Sequence, residues 1–163
     1  GSYIPKLMYG LVIELNYKAF DFSMDFNGQS GNKIYNGKNA VRPNLGNFES
    51  RVKNRWHGEG TSNSEPRATS GGPNYEPSSY FIEDGSFFRL RTISLGYTLP
   101  PKVLSKINVK QARVFIRGNN VFTMSKYSGY SPEISSDNAL ASGIDMGVYP
   151  STAIYSIGFN VNF

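Results

Sequence analysis

The last stretch of the chain alternates apolar and polar residues with a period of two. Between Thr152 and Phe163 the alternation is almost perfect: one set of alternate positions is apolar and largely aromatic, and the other set includes Ser156, Gly158, Asn160 and Asn162. The apolar set comprises Tyr155, Ile157, Phe159, Val161 and Phe163. Because successive side chains of a β-strand point to opposite faces, the pattern predicts one amphipathic strand. It is typical of a barrel strand with lipid on one side and a polar lumen on the other.

The same alternation occurs twice in the first thirty residues. Odd positions are apolar over residues 7–17, and even positions are apolar over residues 20–26, while the opposite faces carry Glu14, Asp21 and Asp25. A soluble sandwich also alternates in this way. The aromatic density, with 11 Tyr and 11 Phe in 163 residues, favours lipid. The residues predicted to face lipid are Leu11, Ile13, Leu15, Phe22, Met24, Ile157, Phe159 and Val161.

Five strands with very unequal connections are predicted. They cover approximately residues 5–18, 19–29, 79–99, 111–126 and 152–163, and the third ends at the pair Pro100-Pro101. The connections at 17–20 and 100–110 are short, whereas 30–78 and 127–150 are long, rich in Gly and Ser, and without sustained periodicity. Since outer-membrane barrels have short periplasmic turns and long extracellular loops, we expect the long connections to be extracellular.

Five strands are too few to close a membrane barrel, for which about eight is the usual minimum. Either three or more further strands lie within residues 30–78, or the chain is the carboxy-terminal piece of a larger barrel, and the composition of 30–78 favours the second. The predicted fold is therefore all-β, a transmembrane antiparallel β-barrel to which this chain contributes about five strands near the carboxy terminus. The aromatic end of the last strand, at Tyr155 and Phe163, is a candidate assembly signal. The chain begins Gly1-Ser2, so any export signal is expected to lie upstream or to have been removed.

Composition excludes several other classes of function. There is no cysteine, so disulfides, thiolate catalysis and cysteine zinc sites are absent. No run approaches the ~18 apolar residues of a membrane helix. The net charge is +5, but the basic residues form no stripe, and we expect no nucleic-acid partner. Glu83, Asp84, Asp137 and Asp145 offer oxygen ligands for calcium, but they lack the spacing of a calcium loop. No metal, cofactor or enzymatic activity is predicted.

Four sequence blocks carry a family resemblance. Residues 81–91 read FIEDGSFFRLR, residues 93–100 read ISLGYTLP, residues 118–123 read GNNVFT, and residues 126–133 read KYSGYSPE. They closely resemble blocks near the end of SusC/RagA-type TonB-dependent transporters, although Ser131 stands where that family usually has Asp. The segments at 17–21 and 28–33 and the pair Arg55-Trp56 fit as well, so the resemblance covers nearly the whole chain in order.

The resemblance implies a larger protein in the outer membrane of a Gram-negative bacterium. Such transporters have a barrel of about 22 strands with an amino-terminal plug in its lumen. They import oligosaccharides or peptides together with a SusD-like lipoprotein lid, and they are energised through TonB. The plug and the region that contacts TonB are not expected within these residues. An alternative is a soluble β-sheet module that binds carbohydrate through loop aromatics.

Two groups of residues are candidates for contact with substrate or partner. The first is aromatic and lies in the predicted external loops: Trp56, Tyr75, Tyr127 and Tyr130. Aromatic rings there stack on sugars or bury against a protein lid, and packing within the loops is an equal alternative. The second group is Arg113 and Arg117, which point inward on the fourth strand. Charges in a lumen more often form ladders between neighbouring strands than bind substrate.

Two further expectations concern single positions. Arg89 and Arg91 share parity with Ile93, Leu95 and Tyr97, so a regular strand would place both arginines on the lipid face, and a β-bulge near Thr92 would separate the two groups. We predict that bulge. His57, the single histidine, lacks suitable partners in its Gly- and Asn-rich surroundings and is expected to be an exposed loop residue.

Overall fold

The computed structural model describes residues 1–41, 49–69, 71–105, 109–134 and 141–163. In chain order the strands and helices are β1 (Leu7–Tyr17), β2 (Phe20–Ser30), β3 (Lys33–Tyr35), α1 (Gly37–Val41), β4 (Ile82–Asp84), β5 (Phe87–Thr98), α2 (Pro101–Leu104), β6 (Gln111–Ser125) and β7 (Ile154–Asn162). Short 3-10 helices cover Ser50–Asn54, Pro73–Tyr75 and Ser79–Phe81. None of the described helices is long and apolar enough to cross a bilayer.

Five strands form one antiparallel sheet in the order β1-β2-β5-β6-β7. Neighbours in the sheet are also neighbours among the long strands of the chain, so the sheet is a simple meander. Its register keeps the apolar positions on one face. One row across the sheet joins Leu15, Phe22, Leu95, Ile116 and Ile157. The five predicted strands are thus present as the large sheet, which is open, with β1 and β7 at its edges.

The predicted β-bulge is present. The pairing of β5 with both neighbours shifts between Leu90 and Thr92, so Arg91 is left out of the ladder. As a result, Leu90 pairs with Phe26 on the apolar face, while the Arg91 guanidinium lies 3.9 Å from the Asp25 carboxylate on the polar face. The bulge lets a strand with arginines at 89 and 91 keep one face apolar.

The third strand was predicted to start at residue 79, and this boundary was wrong. The strand β5 starts at Phe87, because Asp84 Oδ1 accepts hydrogen bonds from the backbone N–H and the hydroxyl of Ser86 and turns the chain there. The prediction that residues 30–78 are wholly irregular was also wrong. The strand β3 pairs with β4 as a second, two-stranded sheet, and α1 follows it directly.

Most of the buried side chains lie outside the five-stranded sheet. Residues 31–41, 49–69, 71–86, 126–134 and 141–150, which include the second sheet, α1 and the 3-10 helices, form what we term the external layer, beyond the end of the large sheet where β2 and β6 finish. Ile34, Asn36, Phe81, Tyr127 and Asp145 are all buried within it. At the opposite end of the sheet, Leu104 of α2 is buried within the short β5–β6 connection.

Candidate functional site

The polar face of the sheet carries an ion pair that spans three strands. Arg113 of β6 donates from Nε to Asp21 Oδ1 of β2 at 2.8 Å, and a second guanidinium nitrogen contacts Oδ2. The intervening residue on β5 is Gly96, and a Cβ there would overlap both side chains. Glycine at this position therefore makes the bidentate pair possible.

A second feature of the polar face surrounds Phe115. Its ring lies between two guanidinium groups, with the Arg113 Cζ at 4.9 Å and the Arg117 Cζ at 5.5 Å from the ring centroid. Gly158 of β7 pairs with Phe115 and leaves room for the ring. Arg113 is thus part of a ladder, as the more common of the two predicted roles requires. Arg117 is exposed and has no carboxylate partner among the described residues.

Arg89 links the first residues of β5 to the loop that follows β6. The side chain of Arg89 is 5% exposed. It donates from Nε to Thr123 Oγ1 at 2.9 Å and from Nη1 to Glu133 Oε2 at 2.5 Å. Its guanidinium also lies over the Phe87 ring at 5.2 Å. The sequence suggested the side of the strand on which Arg89 lies, but not its partner, because Glu133 lies 44 residues away.

The external layer is held by a network of buried polar side chains. Tyr127 donates its hydroxyl to Asp145 Oδ2 at 2.5 Å, and Asp145 Oδ1 accepts from the backbone N–H groups of Gly147 and Val148. Nearby, Glu83 Oε1 accepts from Asn36 Nδ2 at 2.8 Å and from the Ser128 hydroxyl at 2.7 Å. The bond between Ser128 and Glu83 joins the β6–β7 connection to the β2–β5 connection, whereas the bonds to Asp145 lie within the β6–β7 connection.

Two of these groups have displaced pKa values. Burial alone would raise the pKa of Asp145. The hydrogen bonds from Tyr127 and from the backbone, with the positive charge of Lys38, hold the pKa of Asp145 below its ordinary value. For Tyr127, burial raises the pKa of the phenol well above its usual range, and the neighbouring Asp145 raises it further. At neutral pH the pair is therefore a neutral phenol bonded to a carboxylate.

The aromatic candidates occupy different environments. Tyr127 is 8% exposed and its hydroxyl is bonded within the layer, so packing, the alternative role, applies to it and contact with a ligand does not. Tyr75 is half-buried and donates to the Thr69 carbonyl at 2.7 Å. Tyr130 is exposed, with Lys38 Nζ 4.8 Å from its ring centroid. Trp56 is exposed, and so is the neighbouring His57, as predicted.

The residues predicted to face lipid lie on one face of the sheet. Near one edge of the sheet, Ile13 pairs with Met24 and Leu11 pairs with Phe26. Near the opposite edge, Val114 pairs with Phe159 on the same face. Leu15, Phe22, Ile157 and Val161 continue the face, which ends near Tyr155 and Phe163. Aromatic pairs lie at both ends, with Phe20 and Tyr97 at one end and Phe26 and Phe88 at the other. Lipid contact and the assembly role of Tyr155 and Phe163 stay predictions.

No group of three His, Cys, Asp or Glu side chains able to hold a metal occurs in the described residues. Asp145 and Glu83, which the sequence places among possible oxygen ligands, use their carboxylates in the hydrogen bonds above. A third acidic residue of that group, Asp137, lies outside the described residues.

Comparison with known proteins shows which family of proteins the chain resembles. Over its whole length it is 34% identical to TonB-dependent receptor P26 of Formosa agariphila and 30% identical to TonB-dependent receptor P3 of the same organism. Over 96% of its length it is 29% identical to TonB-dependent receptor SusC of Bacteroides thetaiotaomicron. The chain belongs to the SusC/RagA family of TonB-dependent receptors. It spans 17% of P26 and of P3 and 15% of SusC. No family model matches the chain.

Solved structures agree on the fold of this family. The chain superimposes on the RagAB peptide importer in its open-open and closed-closed states with a TM-score of 0.80 in each case, at 23% sequence identity. The match covers 99% of this chain and 18% of the RagAB chain. The five-stranded sheet and the external layer thus correspond to a part of that larger β-structure.

Proposed function

We propose that the chain is part of the barrel wall of an outer-membrane active transporter, which imports oligosaccharides or peptides and is energised through TonB. The observation that carries the proposal is the two-faced sheet. Its apolar face is covered by no other layer in the described part of the chain, and Ile157 and Phe159 are 79% and 76% exposed. Such a face is stable against lipid and costly against water.

The spacing of the aromatic pairs supports this orientation. Phe20 and Phe26 belong to opposite pairs on β2, and six residues of a strand span about 20 Å. This is close to the ~25 Å apolar band of outer-membrane barrels, which aromatic girdles flank. The polar face, with Asp21, Arg113 and Arg117, then lines the lumen. The edges β1 and β7 pair with further strands, because an open edge in lipid leaves backbone groups unpaired.

The two ends of the sheet are assigned to the two sides of the membrane. Long connections on the external layer side are extracellular, and the short ones at 18–19 and 99–110 are periplasmic. A SusD-like lipoprotein is the proposed partner above the external layer. The likeness of the chain to SusC and to the RagAB peptide importer supports this proposal. The soluble carbohydrate-binding module is not favoured, since it would leave the apolar face in water.

One experiment tests orientation and import together in the full-length protein. Single cysteines replace Asn63, in the external layer, or Ser105, at the opposite end of the sheet, and intact cells are treated with a membrane-impermeant thiol reagent. Asn63→Cys should be labelled in intact cells, and Ser105→Cys only after the outer membrane is opened. Labelling of Ser105→Cys alone in intact cells would contradict the orientation.

Uptake is measured in the same strains. Cells without the full-length gene should lose growth on at least one oligosaccharide or peptide mixture, and both cysteine variants should restore it. An inactive TonB should abolish that growth in every strain. Growth that is unaffected by deletion of the gene on all nutrients tested would contradict the import function.

A further inference from the structure

The external layer contains an open cleft lined by two arginines and two aromatic rings. Arg55, Trp56, His57, Arg67 and Ala68 surround a volume of about 390 Å³. This lies within the range of ~300–1,000 Å³ that is usual for small-molecule sites. Arg55, Arg67 and Ala68 also line an adjoining cavity of about 110 Å³. The cleft faces the side of the molecule opposite to the short turns, where nutrients arrive under the proposed function.

Hydrogen bonds to the backbone hold the two segments that line the cleft, residues 55–57 and 67–68, side by side. The N–H of Trp56 donates to the Glu65 carbonyl at 3.0 Å, and Asn74 Nδ2 donates to the Arg67 carbonyl at 3.0 Å. The N–H of His57 donates to Thr61 Oγ1 at 3.0 Å. Arg55 and Arg67 are therefore held on opposite sides of one opening, although neither lies in a long helix or strand.

The arginines of this region differ in how their charges are used. Arg51 lies 3.5 Å from Glu49 and 3.7 Å from Glu65, and it donates to the Tyr80 hydroxyl at 2.6 Å. Arg55 and Arg67 form no ion pair with any carboxylate in the described ranges, and no acidic residue lines the 390 Å³ cleft. Both side chains are exposed. Neither guanidinium is thus paired with a carboxylate in the described structure, although Arg55 donates from Nη1 to the Val52 carbonyl at 3.4 Å and Glu49 and Glu65 line the adjoining cavity.

The chemistry of the lining selects the kind of ligand. A guanidinium fork matches the two oxygens of a carboxylate or a sulfate ester. The 38% exposed Trp56 offers an aromatic surface on which the C–H face of a sugar ring can lie. His57 Nδ1 lies 3.0 Å from the Arg55 carbonyl and donates to it, so Nε2 is the remaining polar atom of the ring.

We infer that this cleft binds an acidic oligosaccharide, with Arg55 and Arg67 on its carboxylate or sulfate groups and Trp56 against a sugar ring. The inference rests on the proposed import function and names its substrate class. An acidic peptide carries the same charges, but peptides are often held by pairing with a strand edge. Among the described residues, the segments lining the cleft contain no strand that could offer one.

The test uses purified full-length protein in detergent and isothermal titration calorimetry. The probes are a galacturonate hexasaccharide, its fully methyl-esterified and therefore neutral form, a sulfated galactan hexasaccharide and a hexaglutamate peptide. The wild type should bind at least one acidic saccharide about tenfold or more tightly than the neutral one, with an affinity that falls as salt is raised. The two acidic saccharides separate carboxylate from sulfate recognition.

Three variants and a matched control assign the binding to the cleft. Arg55→Gln and Arg67→Gln should each weaken binding of the acidic saccharide about tenfold, and Trp56→Ala should weaken it for every saccharide that binds. Lys53→Gln removes one exposed charge from the same loop without touching the cleft, and it should change affinity less than about twofold. Any one of four results would overturn the inference. The first two are equal binding of the esterified form and tight binding of hexaglutamate alone. The others are no binding of either acidic saccharide by the wild type and equal effects of Lys53→Gln and Arg55→Gln.

Failure of this inference and failure of the import function give different results. If cells carrying both Arg55→Gln and Arg67→Gln take up their nutrient as the wild type does, the acidic cleft is wrong while import stands. If deletion of the whole gene changes no uptake, import itself is wrong.

Discussion

The five-stranded sheet and the external layer bury their side chains in opposite ways. In the sheet, large apolar residues such as Leu11, Leu15 and Phe159 are 55%, 59% and 76% exposed. In the external layer, formed largely by connections between the long strands, Ile34 and Asp145 are each 1% exposed. A water-soluble protein shows the reverse, with apolar strands inside and polar connections outside.

The two regions therefore differ in what stabilises them. The sheet has backbone pairing and one uncovered apolar face, which under the proposed function lies against lipid. The external layer has a small core of its own, held by Ile34, Phe81 and the bond from Tyr127 to Asp145. We therefore expect substitutions to affect the two regions separately, and the following predictions test that separation.

The largest effect is expected on the apolar face of the sheet. Met24 lies between the two aromatic pairs along β2, so Met24→Arg should lower the free energy of unfolding by about 2–4 kcal/mol. The control is Ser23→Arg on the polar face, opposite Glu14, which should cost less than about 1 kcal/mol. Denaturant unfolding of the full-length protein in lipid vesicles measures both. Equal costs would contradict the assignment of the faces.

The next effect is expected in the external layer. Asp145→Ala removes a buried carboxylate that accepts three hydrogen bonds, and it should lower the local stability by about 2–3 kcal/mol. Amide hydrogen exchange should speed up in residues 126–134 and 141–150 while β2 and β5 stay protected. Asp145→Asn is the matched control, since its amide oxygen still accepts from the backbone. A uniform loss of protection across β2 and β5 would show that the two regions are coupled.

A smaller effect is expected at the ion pair of the polar face. A double-mutant cycle with Asp21→Ala and Arg113→Ala should give a coupling free energy of about 1 kcal/mol, because the side chains are partly exposed. Gly96→Ala should remove most of this coupling by separating the two groups. Additive single effects in the unfolding free energy would mean that the pair contributes no stability.

The smallest effect is expected from pH, and only in the external layer. The folded pKa of Asp145 is depressed, so its contribution is present above the unfolded value of about 3.9 and is lost as pH falls through the folded pKa. The pKa of Asp84 is likewise lowered by its hydrogen bonds from Ser86. The raised pKa of Tyr127 gives stability that is complete below about pH 10.

Protease sensitivity of the external layer should thus be constant between pH 6 and 9 and rise below about pH 4. Asp145→Asn should weaken the acid response, and an unchanged response would contradict the role of Asp145.

The sequence alone determined the features that depend on near neighbours in the chain. Alternation with a period of two predicted the first, second and last strands of the large sheet and the residues on their apolar face, and the parity of Arg89 and Arg91 predicted the bulge near Thr92. Each follows from the parity of positions within one strand, which the backbone of a β-strand fixes wherever the strand lies. The family blocks at 81–100 and 118–133 likewise identified the SusC/RagA family without any knowledge of the fold.

Tertiary structure decided every feature that joins distant segments. The bond from Tyr127 to Asp145, the pairing of β3 with β4 and the contact of Arg89 with Glu133 link residues 18 to 51 positions apart. The cleft between Arg55 and Arg67 depends on backbone bonds across a turn-rich segment that has no period to read. A sequence pattern reports the direction of a side chain within its own strand, but the partner of a buried polar group depends on where the loops meet.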